Sequence, residues 1–302
     1  MGSSPSAPAS PPAVTIHIGA HKTASTHLQK ALLAHRDELA AMGCRYIGPD
    51  TLRKRHAYPA PRKAEHRAPA NPHTLLQALA TAHRAGQRVV LSDENILGRP
   101  RPPFIAEGSQ LYPQAAPRIA HLISSLGLQN VTLALCLRDP LGFLISAHGH
   151  QALAGHPVCF DAFVDGIDPL ALRWPELISR LLGCAGVSHI LLWRYEAYPE
   201  IAPVLAEQLL GDARACAWLG ADGPRLLGIS AQAWQQARAL IAEDPARDPK
   251  KTVKQQIRKF PKSAQYPPLQ PFSSALVAQS RSQYDSDWKQ LALWPRVTCL
   301  TL

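Results

Sequence analysis

Long apolar runs are absent from this sequence of 302 residues. None approaches the roughly 20 consecutive apolar residues that a membrane-spanning helix needs, so we expect no membrane span. Residues 1–13 also lack the basic stretch followed by an apolar core that is typical of a secretory signal peptide. They are rich in Ser, Pro and Ala, which predicts a disordered leader, and the protein is expected to be cytoplasmic.

Cysteine is sparse and scattered. The six cysteines form no C-x-x-C pair, and no paired histidines stand at zinc-binding spacing beside them. His148 and His150 are two residues apart in a predicted helix, where they would point to different faces. We therefore predict no metal site and a protein with reduced cysteines.

Acidic residues are the minority, 22 against 32 lysines and arginines, and the formal net charge is +10. Such a surface attracts anions, but charge alone suits nucleic acid, an anionic membrane or a polyanionic small molecule equally well. The aromatic residues, 6% of the chain, are not interleaved with the basic ones. That pattern is not typical of nucleic-acid binding, so we expect no nucleic-acid partner.

Short β-branched and apolar runs alternate with helical patterns along most of the chain. This alternation predicts an α/β fold with a parallel sheet, helices on both faces and a helical C-terminal part, all in one domain over residues 14–302. Two segments without a periodic pattern, Asp50 to Pro72 and Arg99 to Pro117, are expected to be surface connections that supply acceptor loops. The predicted strands are Val14 to Ile18, Arg88 to Ser92, Val131 to Leu137 and His189 to Trp193.

The first strand is followed by a polar turn and then by a helix that begins near Ser25. The first turn of a helix leaves backbone N–H groups unpaired and carries partial positive charge, and Lys22 adds a full charge, so an anion site is expected here. Nucleoside triphosphate loops have the pattern G-x-x-x-x-G-K-[ST]. In this chain Gly19 is three residues before the lysine and no glycine directly precedes it, which weakens a kinase or NTPase interpretation.

The stretch H-K-T-A-S-T from His21 resembles the 5′-phosphosulfate loop of sulfotransferases, whose usual form is close to P-K-[ST]-G-[ST]-[ST]. The resemblance implies that Lys22 contacts the phosphosulfate oxygens. It also implies that the 5′-phosphate is bound by the residues Thr23, Ala24, Ser25 and Thr26. The chain departs from the pattern at Ala24, where the family has glycine. If that position needs a positive φ, alanine costs about 1 kcal/mol or more.

A second match follows the strand Val131 to Leu137. Arg138 stands at the strand end and Ser146 eight positions later, in a predicted helix. This resembles the 3′-phosphate element of sulfotransferases, and a dianionic phosphate is well served by a guanidinium fork and a hydroxyl in one place. The segment Trp193 to Glu196 resembles a further family segment, which makes Tyr195 a candidate adenine contact. The two matches occur in the family's order and imply a P-loop-like sulfotransferase fold.

The resemblance implies 3′-phosphoadenosine 5′-phosphosulfate (PAPS) as co-substrate, with no metal, and a hydroxyl or amine of a small molecule or glycan as acceptor. Lys22 would then be catalytic, because it neutralises charge on the departing phosphate. The acceptor must lose a proton, so a general base is needed. Acidic residues follow the second predicted strand, and open α/β sheets bind their ligands at the carboxyl ends of the strands. Glu94 is the first choice for the base, and Asp93 is its rival. His17 and His21 are expected to be structural.

Two features leave alternatives open, the alanine at position 24 and a missing loop. The Arg-Lys-Gly loop that completes the 3′-phosphate site in family members is absent, although a basic run could supply one or two substitutes. A non-catalytic nucleotide-binding protein of the same fold, or a P-loop kinase, is therefore the alternative to a sulfotransferase. Neither the acceptor nor the oligomeric state can be read from the residues. The basic run comprises Lys250, Lys251, Lys254, Arg258, Lys259 and Lys262.

Overall fold

The computed structural model describes residues 13–53, 73–198, 200–219 and 228–301. Within these residues the strands are β1 (Val14–Gly19), β2 (Cys44–Ile47), β3 (Arg88–Ser92), β4 (Ala106–Glu107), β5 (Gln110–Leu111), β6 (Val131–Leu137), β7 (Val187–Arg194) and β8 (Val297–Cys299). Six of them form one sheet in the order β2-β3-β1-β6-β7-β8, and every neighbouring pair is parallel. Strands β4 and β5 form a separate antiparallel hairpin.

The helices lie mostly between the strands, as crossovers between parallel strands require. They are α1 (Ser25–Ala34), α2 (Arg36–Ala41), α3 (Pro49–Leu52), α4 (His73–Arg84), α5 (Ala115–Ser125), α6 (Pro140–Leu153), α7 (Phe160–Phe163), α8 (Trp174–Leu182), α9 (Ala202–Leu210), α10 (Cys216–Leu219), α11 (Ala231–Glu243), α12 (Pro249–Lys259) and α13 (Ser274–Leu291). Single turns of 3₁₀ helix follow β3 and β7.

Both faces of the sheet are covered, and alternate residues of each strand supply the two apolar layers. Ile16 and Ile18 of β1 pack in one layer with residues of α4, α5, α6 and α8. Ala134 and Cys136 of β6 pack in the opposite layer with residues of α1 and α9. The α/β fold with a parallel sheet and helices on both faces, predicted from the alternating pattern, is confirmed.

The strand order places a crevice between β1 and β6. Strands β3 and β2 lie on one side of β1, whereas β6, β7 and β8 lie on the other. Helix α1 after β1 packs on one face and α6 after β6 packs on the opposite face. In open α/β sheets, ligands bind outside the carboxyl ends of the strands at such a switch point. The two loops singled out from the sequence therefore meet at the expected binding edge.

All four predicted strands are present, but β2, β8 and the hairpin are additional. The hairpin lies inside the Arg99 to Pro117 connection, which was predicted to be irregular. The apolar spacing from Thr26 to Met42 predicts one helix after β1, but the structure divides it at His35, whose φ is −111° and whose ring stacks on Trp218. The apolar pattern from Leu170 to Leu182 predicts a further helix, which in the structure begins later, at Trp174, because Pro175 directly follows and suits the first turn.

Part of the basic run is helical: α12 begins at Pro249, where Asp248 accepts a hydrogen bond from the Lys251 N–H. Most of the predicted leader and residues 54–72 of the predicted Asp50 to Pro72 connection lie outside the described residues, while α3 occupies the start of that connection. No helix in the described ranges has the length and apolarity to cross a membrane.

Candidate active site

The loop between β1 and α1 presents a row of unpaired backbone donors. The N–H groups of Lys22 through Thr26 make no hydrogen bond with any residue that the structure describes. Lys22 and Ala24 have φ of 63° and 68°, in the left-handed region, and this turns the backbone into the concave shape that binds anions. Ala24 is also the N-cap of α1 and has no side-chain oxygen to satisfy these donors.

Ala24 lies in the conformation that glycine tolerates best, so Ala24→Gly should be nearly neutral for folding. Relief of the left-handed strain, about 1–2 kcal/mol, offsets the greater backbone freedom of glycine and the loss of a buried methyl. Ala31→Gly, inside the same helix, should cost about 1 kcal/mol because no strain is relieved. Urea unfolding gives the free energy of unfolding of both variants. Equal losses in the two would contradict the proposed strain at Ala24.

The hydroxyls of the loop point inward rather than toward the crevice. Thr23 Oγ1 and Ser25 Oγ both donate to the Ala20 carbonyl oxygen, at 2.6 and 3.1 Å. Thr26 is exposed at the start of α1. The predicted role of Thr23 and Ser25 as hydroxyl donors to a phosphate is therefore not visible in this geometry. Their backbone N–H groups, which have no partner among the described residues, are the donors that remain for an anion.

Arg138 is held directly against this loop. Its Nη1 donates to the Lys22 carbonyl oxygen at 2.9 Å, and its guanidinium carbon lies 4.6 Å from the centre of the Tyr195 ring. Burial and the nearby Arg138 charge lower the pKa of Lys22, whereas the Glu94 charge raises it. The Lys22 ammonium makes no ion pair or hydrogen bond within the described ranges. A bound anion would relieve the repulsion between these two cations.

Lys22, Arg138 and Ser146 line one cavity, together with Lys262 from the end of the basic run. Its volume is about 200 Å³, below the roughly 300–1,000 Å³ of whole-ligand pockets, so it has room for only part of a nucleotide. No carboxylate is among its described lining residues. The other lining residues are Gly142, Ile145, Gly149, His150, Leu153, Gly228, Ile229, Pro268, Leu269 and Gln270.

A second set of residues, not predicted from the sequence, holds the Arg138 segment in place. Asp139 caps α6 by accepting from the Gly142 N–H at 2.8 Å, and it accepts from Ser280 Oγ at 2.7 Å. Trp174 Nε1 donates to the Arg138 carbonyl oxygen at 2.8 Å. Ser280 and Trp174 lie far from Arg138 in the chain, so no local pattern indicates these contacts. The hydrogen bonds from Trp174 and Ser280 together hold the end of β6 in place.

The two acidic candidates after β3 differ sharply in exposure. The Asp93 side chain is 0% exposed. It accepts two hydrogen bonds from Arg53, at 2.9 and 2.6 Å, and one from the Asn95 N–H. Glu94, 15% exposed, accepts from Gln29 at 2.7 Å and from Arg53 at 3.1 Å. Asp93 is thus a turn cap and an anchor for Arg53, while Glu94 retains some access to the crevice.

Glu94 lies against the loop after β1 because Gly19 has no side chain. A Cβ atom on Gly19 would meet the Glu94 Cβ at 2.9 Å, and the φ of Gly19 is +105°. Burial alone raises the pKa of Glu94, but His21, the Gln29 amide and Arg53 outweigh it and hold the pKa below its usual range. Glu94 is therefore an ionised carboxylate beside the Lys22 loop.

Both histidines expected to be structural are buried and hydrogen-bonded. His17 Nδ1 lies 2.8 Å from Ser92 Oγ. His21 lies between Tyr112 Oη, at 3.0 Å from Nδ1, and the Asn95 amide, at 3.2 Å from Nε2. Burial lowers the pKa of both imidazoles, that of His17 to about 4. Within the described ranges, no three His, Cys, Asp or Glu side chains are grouped to hold a metal ion.

The fold and the site define an α/β protein with a cation-lined cavity and an unpaired backbone loop at the switch point of a parallel sheet. No protein-family model and no curated protein matches the chain. Among solved structures it is similar to a sulfotransferase from Alicyclobacillus acidocaldarius, with 13% identity over 82% of this chain and 96% of that one, at a TM-score of 0.41. A likeness of that degree does not establish a shared family or activity.

Proposed function

We propose that the protein is a sulfotransferase that uses PAPS and transfers its sulfuryl group to a hydroxyl or amine of a small molecule or glycan. One observation carries the proposal. Lys22, Arg138 and Lys262 come from three separate parts of the chain and line one cavity that contains no described carboxylate. Lys22, which lines this cavity, belongs to the loop whose five backbone N–H groups have no partner among the described residues. Such a donor set suits a ligand with two phosphate-like groups at separate positions.

The residues divide into two ends of the proposed site. The N–H groups of the Lys22 loop would bind the 5′-phosphosulfate end, where Lys22 stabilises the charge that develops on the leaving phosphate. Arg138 and Ser146 would bind the 3′-phosphate, with Lys262 in place of the missing Arg-Lys-Gly loop. Tyr195, whose ring packs against Arg138, remains the candidate adenine contact. PAPS would supply the activated sulfuryl group, and the protein supplies position and charge.

Nucleotide binding is tested by calorimetry with adenosine 3′,5′-bisphosphate, adenosine 5′-phosphate and Mg·ATP. We expect the bisphosphate to bind at least about tenfold more tightly than the monophosphate, because a charge-assisted contact contributes about 1.5–3 kcal/mol. Preference for Mg·ATP over the bisphosphate would instead favour a P-loop kinase. Absence of binding to all three would overturn the nucleotide site.

Transfer is tested with ³⁵S-labelled PAPS and a panel of 2-naphthol, methyl β-glucoside, N-acetylglucosamine and octylamine. Label on any of these acceptors, absent without protein, supports sulfotransferase activity. Bisphosphate binding without transfer to any member of a widened panel would favour the alternative, a non-catalytic nucleotide-binding protein of the same fold.

Lys262→Ala tests which lysine of the basic run serves the site. We expect it to weaken bisphosphate binding by about two- to fivefold at low salt, since an exposed ion pair contributes about 0.2–1 kcal/mol. The loss should shrink as salt is added. Lys251→Ala removes the same charge from the exposed face of α12 and should have no effect. Equal losses in the two variants, measured by calorimetry, would contradict a specific role for Lys262.

A further inference from the structure

His150 is a cavity residue that the sequence pattern did not single out as a site residue. It lies on α6, one helical turn after Ser146, and it lines the same cavity as Lys22. Its imidazole makes no hydrogen bond with any described residue. By contrast, the neighbouring His148 is buried, donates from Nε2 to the Val158 carbonyl oxygen and packs against Phe160.

We propose that His150 is the catalytic residue that accepts the acceptor's proton. This inference rests on the proposed function. As the acceptor oxygen or nitrogen forms its bond to sulfur, the bond from sulfur to the 5′-phosphate oxygen breaks. The electron pair of the broken bond stays on that phosphate oxygen, beside Lys22. The acceptor's proton passes to an imidazole nitrogen of His150, which becomes an imidazolium and later returns the proton to water.

The hydrogen bonding of the rival carboxylate supports this assignment. One Glu94 oxygen accepts from Gln29 and the other from Arg53, so both are already stabilised as the ionised form. His150, by contrast, lines the cavity and makes no side-chain hydrogen bond with a described residue. In this arrangement the Glu94 carboxylate supplies a fixed negative charge, and His150 accepts the proton.

The charged surroundings of His150 make its proton affinity depend on the donor. Burial, followed by the charges of Lys22 and His21, lowers its pKa to about 4, and Glu94 acts in the opposite direction. Arg138 and Lys262 line the same cavity and add positive charge. A bound polyanion would offset these cations, so the pKa of His150 should rise when the nucleotide binds. The base would then be strengthened only when the donor is present.

The direct test is an NMR titration of the histidine imidazoles with and without adenosine 3′,5′-bisphosphate. His150→Gln identifies the signal among the 13 histidines. We expect the pKa of His150 to rise by about one unit or more on binding. His156, which is exposed on the segment after α6, is the control and should not shift. Bisphosphate binding with an unmoved His150 would overturn the donor-dependent base.

Kinetics then separate a base from a structural residue. His150→Gln should lower kcat by roughly 10²–10⁴-fold, the usual contribution of a general base, with bisphosphate affinity changed less than about threefold. His156→Gln should leave both unchanged. If His150→Gln keeps its kcat while Glu94→Gln loses it, Glu94 is the base and the inference is wrong. A wild-type protein that neither binds the bisphosphate nor transfers sulfate overturns the proposed function itself, and the His150 role with it.

Discussion

Lys22→Ala is expected to reduce sulfuryl transfer by roughly 10²–10³-fold, the cost of removing one preorganised charge stabiliser from an active site. The Lys22 ammonium has no partner among the described residues, so its removal breaks no contact of the free protein. Alanine also meets the same left-handed φ of 63° no worse than lysine does. The melting temperature should therefore stay within a few degrees. A radiolabelled transfer assay and calorimetric melting measure the two quantities.

Lys30→Ala is the matched control for Lys22. It removes the same charge from the exposed side of α1, eight residues further along the chain. We expect its activity and stability to equal those of the wild type. Full transfer activity in Lys22→Ala would remove the main support for a sulfotransferase, because the proposal assigns the stabilisation of the leaving phosphate to this lysine.

Arg138→Ala is expected to weaken adenosine 3′,5′-bisphosphate binding by about 2 kcal/mol or more, at least roughly 30-fold in Kd, because it leaves a phosphate without its guanidinium partner. It also removes the hydrogen bond to the Lys22 carbonyl, which costs about 1 kcal/mol of stability. Arg138→Lys keeps the positive charge but not the forked guanidinium. Its affinity for the bisphosphate should therefore lie between those of the wild type and Arg138→Ala. Isothermal calorimetry gives the affinities.

Comparison of ligands separates the two effects of Arg138→Ala. If the arginine binds the 3′-phosphate, affinity for adenosine 5′-phosphate should fall much less than affinity for the bisphosphate. An equal loss for both ligands would show that Arg138 acts through the loop it holds rather than through a phosphate. Arg214→Ala removes an exposed arginine whose ion pair among the described residues is with Asp212, and it should change neither affinity.

The sequence predicts the four inner strands of the sheet but not the two edge strands, because the edge strands are short. Strands β1, β3, β6 and β7 are buried on both faces and therefore read as apolar runs. Strands β2 and β8 have four and three residues, too few to show a period. Their pairing with β3 and β7 defines them. A tertiary contact of this kind leaves no local signal.

The site divides in the same way. Lys22, Arg138 and Ser146 are predicted because each stands in a short motif at a strand end, and the structure brings them to one cavity. His150 is not, since its role depends on which face of α6 turns toward the β1 loop. Helix α12 was missed although Asp248 and Pro249 form a regular helix start. The many charged residues of α12 hide the helical spacing of Val253 and Ile257, which are buried.

The hydrogen bond from Ser280 to Asp139 joins residues 141 positions apart, and this has a consequence for biosynthesis. A ribosome delivers Lys22 and Arg138 well before helix α13, and N-terminal segments begin to fold first during synthesis. Until α13 docks, the Asp139 carboxylate lacks one of the two partners that it has among the described residues, and the end of β6 is less constrained. Full affinity for the nucleotide should therefore be reached only when the chain is nearly complete and α13 has docked.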